Sequence, residues 1–293
     1  MNLILLDVAL GLIACGTAVW IGASMAKKQA RAFSGQTSQD GNNHSHPSGL
    51  PPVTCMDYGD MRFLHLGSPA VQGSMKISQP FDIHLDYVQR MMGWLLLTNL
   101  DQVQRLRTMQ LGLGAAALTK FCHIQLGMHT TAVELNPHVI ATCRQSFHLP
   151  ENSDTLQVLV GDAAEAARDP QWHGKIDALQ VDLYDQDAAR PVIDTEDFYS
   201  DCRQLLTANG CMTVNIFGHA SRYDESLQKI RTAFGPHAVW AFKPTTAGNC
   251  IVMAFRTPRM FDKHALQRQA QAIEARWKLP ATQWLKVLAP VEP

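Results

Sequence analysis

The sequence lacks an excess of charge of either sign. Its 293 residues include 25 Lys and Arg against 26 Asp and Glu, which gives a formal net charge of −1. Proteins that bind nucleic acid need a basic surplus to neutralise phosphates, so the composition argues against that class. Only 17% of the residues are charged and 46% are hydrophobic. This proportion supports a sizeable folded core rather than a disordered chain.

The sequence also lacks paired cysteines. Seven Cys residues are scattered along the chain, and no two of them have the Cys-x-x-Cys spacing of a zinc or redox motif. The 12 His residues show no His-x-x-x-His spacing in a predicted helix. We therefore expect reduced thiols in a cytoplasmic protein and no metal site.

One apolar segment stands apart from the rest of the chain. Residues 3–25 contain a single charged side chain, Asp7, and about 20 apolar residues are enough to span a bilayer. Lys27, Lys28 and Arg31 follow the segment and nothing basic precedes it. By the positive-inside rule, this order predicts a tether on the cytoplasmic face of the inner membrane. The alternative is a mis-assigned start or an amphipathic leader without a membrane role.

Composition divides the chain into five parts. The leader occupies 1–33, and a flexible linker rich in Gly, Ser, Asn and Pro occupies 34–52. We predict a small β unit with a helix at 53–100, a catalytic domain at 101–258 and a helical tail at 259–293.

Strand and helix patterns alternate along most of the chain. Predicted strands lie at 61–66, near Val71, and at 106–111, 130–134, 156–160, 176–182, 211–217, 238–242 and 249–255. Predicted helices lie at 83–97, 115–125, 137–146, 163–168, 198–206, 225–234 and 262–277, with Gly210 expected to end the fifth of them. Strands separated by helices indicate an α/β fold with a parallel sheet covered on both faces. The last two strands have no helix between them, which predicts an antiparallel hairpin at the edge.

Glycines and acids follow the predicted strands, where α/β proteins bind ligands. Gly112 and Gly114 follow the first strand of the alternation, where they permit close approach of a ligand to the next helix. Glu134 lies 20 residues after Gly114, a spacing suited to a ribose diol. Asp162, in Gly161-Asp162-Ala163, suits an adenine amino group, a helix cap, or both. Together these residues predict a nucleoside site.

The fourth strand ends in Asp182, and Asp185 follows three residues later. With the motifs above, this block resembles the spermidine synthase (polyamine aminopropyltransferase) family. The matching motifs are Val71-Gln72, Gly112-Leu113-Gly114, the Val-Glu-Leu-Asn-Pro block around Glu134, Gly161-Asp162-Ala163, the block ending in Asp182-Leu183-Tyr184-Asp185, and Phe198-Tyr199. The resemblance covers residues 57–255, about two thirds of the chain. It implies a Rossmann-like sheet of the S-adenosylmethionine-dependent methyltransferase type with a small N-terminal β domain.

The resemblance also implies an activity and its residues. Family members move an aminopropyl group from decarboxylated S-adenosylmethionine to an amine such as putrescine, need no metal, and often form homodimers. The nucleoside sulfonium would be bound by Gln72, Gly112, Gly114, Glu134, Asp162 and Ala163. Asp182 would accept the proton, and Asp185, with Asp86 and Tyr184, would hold the amine. A primary amine is protonated near neutral pH, so carboxylates suit this substrate.

Three departures from the family pattern leave other functions open. Ala115 stands where spermidine-forming members carry an acid, Asp86 replaces Glu in a Tyr-x-Glu element, and residues 186–191 replace a Pro-Gly pair. Ala115 leaves room for a cofactor carboxylate. The alternatives are therefore an S-adenosylmethionine-dependent methyltransferase and a non-catalytic nucleoside-binding relative.

Overall fold

The computed structural model of the protein describes residues 49–185, 191–217, 220–259 and 262–292. The leader at 1–33, with the predicted tether at 3–25, and the linker up to residue 48 lie outside the described residues. In the described ranges, no helix has both the length and the apolar character needed to cross a membrane.

A small antiparallel sheet precedes the larger domain, as predicted. Its strands, in spatial order, are β1 (Val53–Tyr58), β2 (Met61–Leu66) and β3 (Val71–Lys76). Leu64 and Met75 are buried and belong to one apolar cluster with Leu113 and Ala115 of the larger domain. This packing holds β3 against the turn that carries the glycines.

The larger domain is built on a mixed sheet in the order β11-β9-β10-β8-β7-β4-β5-β6. Its strands are β4 (Arg107–Leu111), β5 (His129–Glu134), β6 (Leu156–Val160), β7 (Ile176–Val181), β8 (Leu206–Phe217), β9 (Val239–Phe242), β10 (Asn249–Phe255) and β11 (Leu288–Pro290). Strands β4 to β8 run parallel, and β9, β10 and β11 pair antiparallel with their neighbours. The strand order reverses on either side of β4, and open α/β sheets bind ligands at such a switch point.

Helices cover both faces of this sheet. They are α1 (Asp86–Arg90), α2 (Ala117–Lys120), α3 (Pro137–Ser146), α4 (Ala163–Arg168), α5 (Glu196–Leu205), α6 (Ala220–Phe234), α7 (Lys263–Trp277) and α8 (Ala281–Trp284). One buried cluster includes Trp94, Phe121 and Trp284, and another on the opposite face includes Phe198 and Phe234. The predicted α/β class, with its small N-terminal β domain and its antiparallel β9–β10 hairpin, is confirmed.

The continuous helix predicted at 83–97 is wrong. α1 ends at Arg90, and Gly93–Leu97 forms a separate 3-10 helix. A Cβ atom on Gly93 would lie 3.0 Å from Met253 Sδ and 3.0 Å from the ring of Phe242. The chain therefore packs closely against β9 and β10 here, and that contact overrides the helical periodicity.

Other boundaries also differ from the predictions. Gly210 lies inside β8 instead of ending a helix, because α5 already stops at Leu205. Ala116 has a φ of 58°, so α2 begins after it rather than at residue 115. The described tail is not purely helical, since β11 pairs with β9, and β1 also lacked a strand prediction.

Candidate active site

A cavity of about 650 Å³ opens at the carboxyl ends of β4, β5 and β7. This volume lies within the usual range for small-molecule sites. The cavity brings together nine of the ten predicted site residues: Gln72, Gly112, Gly114, Glu134, Asp162, Ala163, Asp182, Tyr184 and Asp185. Among the described residues that line it, none is Lys, Arg or His.

The glycine turn has room only for glycine at its first position. Gly112 has a φ of +85°, and a Cβ atom there would lie 2.2 Å from the Asp182 carbonyl oxygen. Gly114 has a φ of +52° and lies against the Gln72 carbonyl. These positive φ values are strained for residues with side chains. The glycine turn after β4 therefore packs against the backbone of β3 and against the backbone that follows β7.

Glu134 ends β5 with its carboxylate held by backbone. The Leu113 amide donates to Oε2 and the Asn136 amide donates to Oε1, both at 2.9 Å. Burial raises the pKa of Glu134, and hydrogen bonds from these amides oppose the rise. The side chain is thereby fixed beside the glycine turn.

Asp162 caps α4. Its Oδ1 accepts hydrogen bonds from the Ala164 amide at 2.7 Å and from the Glu165 amide at 3.1 Å. The capping interpretation is confirmed, and Asp162 also lines the cavity. One carboxylate can therefore hold the helix end and face a ligand.

Asp182 follows β7 and is half-buried. Its Oδ1 accepts a hydrogen bond from Asn215 Nδ2 at 2.9 Å, and the Tyr87 hydroxyl is close enough to interact with the carboxylate. Burial raises the pKa of Asp182 to about 6, and both side chains oppose the rise. A carboxylate with this pKa can take up a proton near neutral pH.

Tyr184 is anchored to the end of β8. Its hydroxyl donates to the Asn215 carbonyl oxygen at 3.0 Å and accepts from the Phe217 amide at 2.5 Å. Burial raises the pKa of this phenol. Gln72 Nε2 donates to the Asp185 carbonyl oxygen at 3.0 Å. These hydrogen bonds hold the segment from Tyr184 to Asp185 against the end of β8 on one side and against β3 on the other.

Asp86 does not reach the cavity. Its carboxylate is exposed and accepts two hydrogen bonds from Arg90, from Nε at 2.9 Å and from Nη2 at 2.8 Å. The next residue, Tyr87, lines the cavity instead. Successive side chains of a helix point about 100° apart, so only one of these two neighbours can face the ligand.

Sequence reasoning missed Tyr87, Asn215 and Asn249. Asn215 and Asn249 line the cavity, and both are buried polar residues whose immediate neighbours within the strand are apolar. A buried amide needs a hydrogen-bond partner. This polar interruption of an apolar pattern was the signal that could have identified them.

A small recess extends the cavity between β3 and the glycine turn. It has about 20 Å³ of space, and its lining includes Ser74, His84, Gln110, Ala115 and Asp182. The Ser74 hydroxyl is buried and has no hydrogen-bond partner among the described residues. Space of this size accommodates about one water-sized group.

The described residues contain no cluster of metal ligands. Across the described ranges, no group of three or more His, Cys, Asp or Glu residues could hold a metal ion.

Comparison with known structures defines the class of fold. Human methyltransferase-like protein 13 in complex with SAH matches with a TM-score of 0.58 at 20% identity, over 67% of this chain and 93% of that one. A probable spermidine synthase from Corynebacterium glutamicum matches with a TM-score of 0.61 at 19% identity, over 80% and 88%. The domain therefore has the S-adenosylmethionine-dependent methyltransferase-like fold.

Sequence comparison is more specific. No protein-family model matches the chain. A polyamine aminopropyltransferase from Chromobacterium violaceum is 33% identical over 232 residues, which are 78% of this chain and 86% of the relative. The chain belongs to the polyamine aminopropyltransferase family and is therefore a transferase, which confirms the resemblance seen in its motifs.

Proposed function

We propose that the protein transfers an aminopropyl group from decarboxylated S-adenosylmethionine to a small amine such as putrescine. The observation that carries this proposal is the charge of the cavity. Glu134, Asp162, Asp182 and Asp185 all line it, and no cationic side chain is present among its described lining residues. Carboxylates favour a sulfonium and a protonated amine. The carboxylate of intact S-adenosylmethionine would face these carboxylates, and no Lys or Arg among the described residues lining the cavity or its recess would pair with it.

The nucleoside would be held by residues at the ends of β3, β4, β5 and β6. Gln72, the glycines and Ala163 would contact it, Glu134 would accept hydrogen bonds from the ribose diol, and Asp162 would accept from the adenine. The amine nitrogen then attacks the carbon bonded to the sulfonium. The carbon–sulfur bond breaks, its electron pair stays on sulfur as a neutral thioether, and Asp182 takes the proton that the amine must lose. Alignment and proton removal are the protein's main contributions.

The size of the recess supports the decarboxylated donor. A terminal ammonium is about as large as the water-sized group that the recess accommodates, and the unpaired Ser74 hydroxyl could accept a hydrogen bond from it. An α-amino group together with an α-carboxylate needs more space. Ala115 is 4% exposed and lies beside Gly73, where a Cβ atom would come within 2.7 Å of it. The recess is therefore narrowed by close backbone packing.

Product binding and turnover test this function. By calorimetry, methylthioadenosine should bind at least tenfold more tightly than S-adenosylhomocysteine, because the latter carries a carboxylate into an anionic cavity. Purified protein should convert putrescine and decarboxylated S-adenosylmethionine to spermidine and methylthioadenosine. Methyl transfer from intact S-adenosylmethionine without aminopropyl transfer would establish the methyltransferase alternative. Binding of neither product would favour a non-catalytic role.

We also propose that residues 3–25 tether this activity to the cytoplasmic face of a membrane. The long apolar segment and the basic residues after it support this location. The full chain should sediment with membranes, and a variant starting at residue 34, which lacks the leader and leaves the cavity lining intact, should remain in the supernatant with unchanged methylthioadenosine affinity. Equal solubility of both proteins would contradict the tether.

A further inference from the structure

Asn249 begins a chain of hydrogen bonds that ends at Asp182. Asn249 Nδ2 donates to Asn215 Oδ1 at 3.1 Å, and Asn215 Nδ2 donates to Asp182 Oδ1 at 2.9 Å. Asn249 is 8% exposed and Asn215 is 4% exposed. This series of hydrogen bonds runs from β10 through β8 to the end of β7, so three strands of the sheet contribute to it.

The orientation of the Asn215 side-chain amide determines whether the Asp182 carboxylate receives a hydrogen bond. An asparagine side chain carries an acceptor oxygen and a donor nitrogen on the same carbon. Turned over, Asn215 would present its oxygen to a carboxylate, and two acceptors would face each other. The hydrogen bond from Asn249 to Asn215 Oδ1 favours the observed direction, in which the nitrogen faces Asp182.

Asn249 is itself held firmly. Its backbone amide donates to Thr245 Oγ1 at 3.0 Å, and the Thr245 amide donates to the Asn249 carbonyl oxygen at 2.8 Å. Thr245 is also buried. The turn between β9 and β10 thus fixes the start of the hydrogen-bond chain.

We propose that Asn249 is a positioning residue that acts through Asn215 to keep the Asp182 carboxylate oriented as the proton acceptor. This proposal rests on the proposed function of Asp182. It assigns a role to the β9–β10 turn, which provides none of the residues predicted from the sequence.

Among the described residues, two tyrosines also interact with the Asp182 carboxylate. Tyr87 of α1 and Tyr184, which follows β7, are both close enough to interact with its charge. Glu134, Asp162 and Asp185 line the same cavity, and none of its described lining residues is cationic. Loss of the Asn215 donor should therefore have a measurable effect on proton uptake by Asp182.

Nuclear magnetic resonance tests whether Asn249 affects Asp182 through Asn215, and it needs no assay of activity. In ¹⁵N-labelled protein, the Asn215 side-chain amide should titrate with a midpoint near the pKa of Asp182, about 6, and the titration should vanish in Asp182→Asn. In Asn249→Ala the midpoint should rise by about one pH unit, since a hydrogen bond to the charged form is lost or weakened. An unchanged midpoint in Asn249→Ala overturns the proposal. If this variant does not fold, the similarly sized Asn249→Leu replaces it with the same expectation.

Kinetics then separate positioning from a purely structural role. The kcat of Asn249→Ala should be reduced most at pH 6 and should recover towards the wild-type value at pH 9, with the donor KM changed less than twofold. In an Asn215→Ala background, Asn249→Ala should cause no further loss, whereas additive losses would contradict action through Asn215. Asn209→Ala, on the exposed amino end of β8, is the matched control and should behave as wild type. If the wild-type protein transfers no aminopropyl group, the proposed function fails, and the midpoint shift still decides the role of Asn249.

Discussion

Replacing Asp182 with Asn should lower turnover by a factor of roughly 10²–10⁴, the usual effect of removing a general base. Asn keeps the size of the side chain and cannot accept a proton. The proposed nucleoside contacts do not involve this carboxylate, so methylthioadenosine affinity should stay within about twofold. The measurements are kcat with putrescine at saturating donor and calorimetry with methylthioadenosine.

The pH dependence provides an independent check. In the wild-type protein, kcat/KM should fall as pH drops through the pKa of Asp182, about 6, because the protonated carboxyl cannot act as the base. Burial raises this pKa in the folded state, so the carboxyl binds a proton more tightly there than in the unfolded chain. Ionised Asp182 therefore opposes folding at pH 7. Asp182→Asn should show a thermal midpoint no lower than wild type, which excludes unfolding as the cause of lost turnover.

Two further carboxylate variants show whether the effect is specific to Asp182. Asp185→Asn should mainly raise the KM for the amine, with a smaller loss of kcat, because Asp185 lies beyond the strand end and is proposed to hold the substrate. Asp169→Asn changes a carboxylate that caps the 3-10 helix Pro170–Trp172 and does not line the cavity, so it should leave both constants unchanged. Near-wild-type turnover in Asp182→Asn would remove Asp182 from its assigned role.

Replacing Glu134 with Gln should weaken methylthioadenosine binding by about tenfold or more, since a hydrogen bond to a charged group contributes roughly 1.5–3 kcal/mol. The structure adds a second reason. Backbone amides donate to both oxygens of Glu134, so the NH₂ group of Gln must face one of these donors. The glycine turn or the start of α3 would then shift, and the diol would lose a charged acceptor.

Calorimetry with methylthioadenosine measures this change, and a thermal melt checks the fold. Glu165→Gln is the matched control, because Glu165 is exposed in the first turn of α4 and should bind the ligand normally. Unchanged affinity in a folded Glu134→Gln protein would exclude Glu134 from the nucleoside site.

The sequence by itself determined the order of the strands and the acids that follow them. Glu134 and Asp182 could be predicted because their positions depend only on local strand patterns and on the rule that parallel strands end at one edge. Asp162 could be recognised as a cap from the short helix that begins directly after it. These features are encoded within a few residues of each other.

Only the tertiary structure decided which other side chains complete the site. Asp86 and Tyr87 are neighbours in sequence, and the docking of α1 selects Tyr87 because adjacent helical residues face different directions. Asn215 and Asn249 are 34 residues apart, and pairing of β8 with β10 brings them together. The helix predicted at 83–97 is interrupted for the same reason, since Gly93 must fit closely against Phe242 and Met253. Such contacts depend on where distant elements pack, which no local pattern of residues specifies.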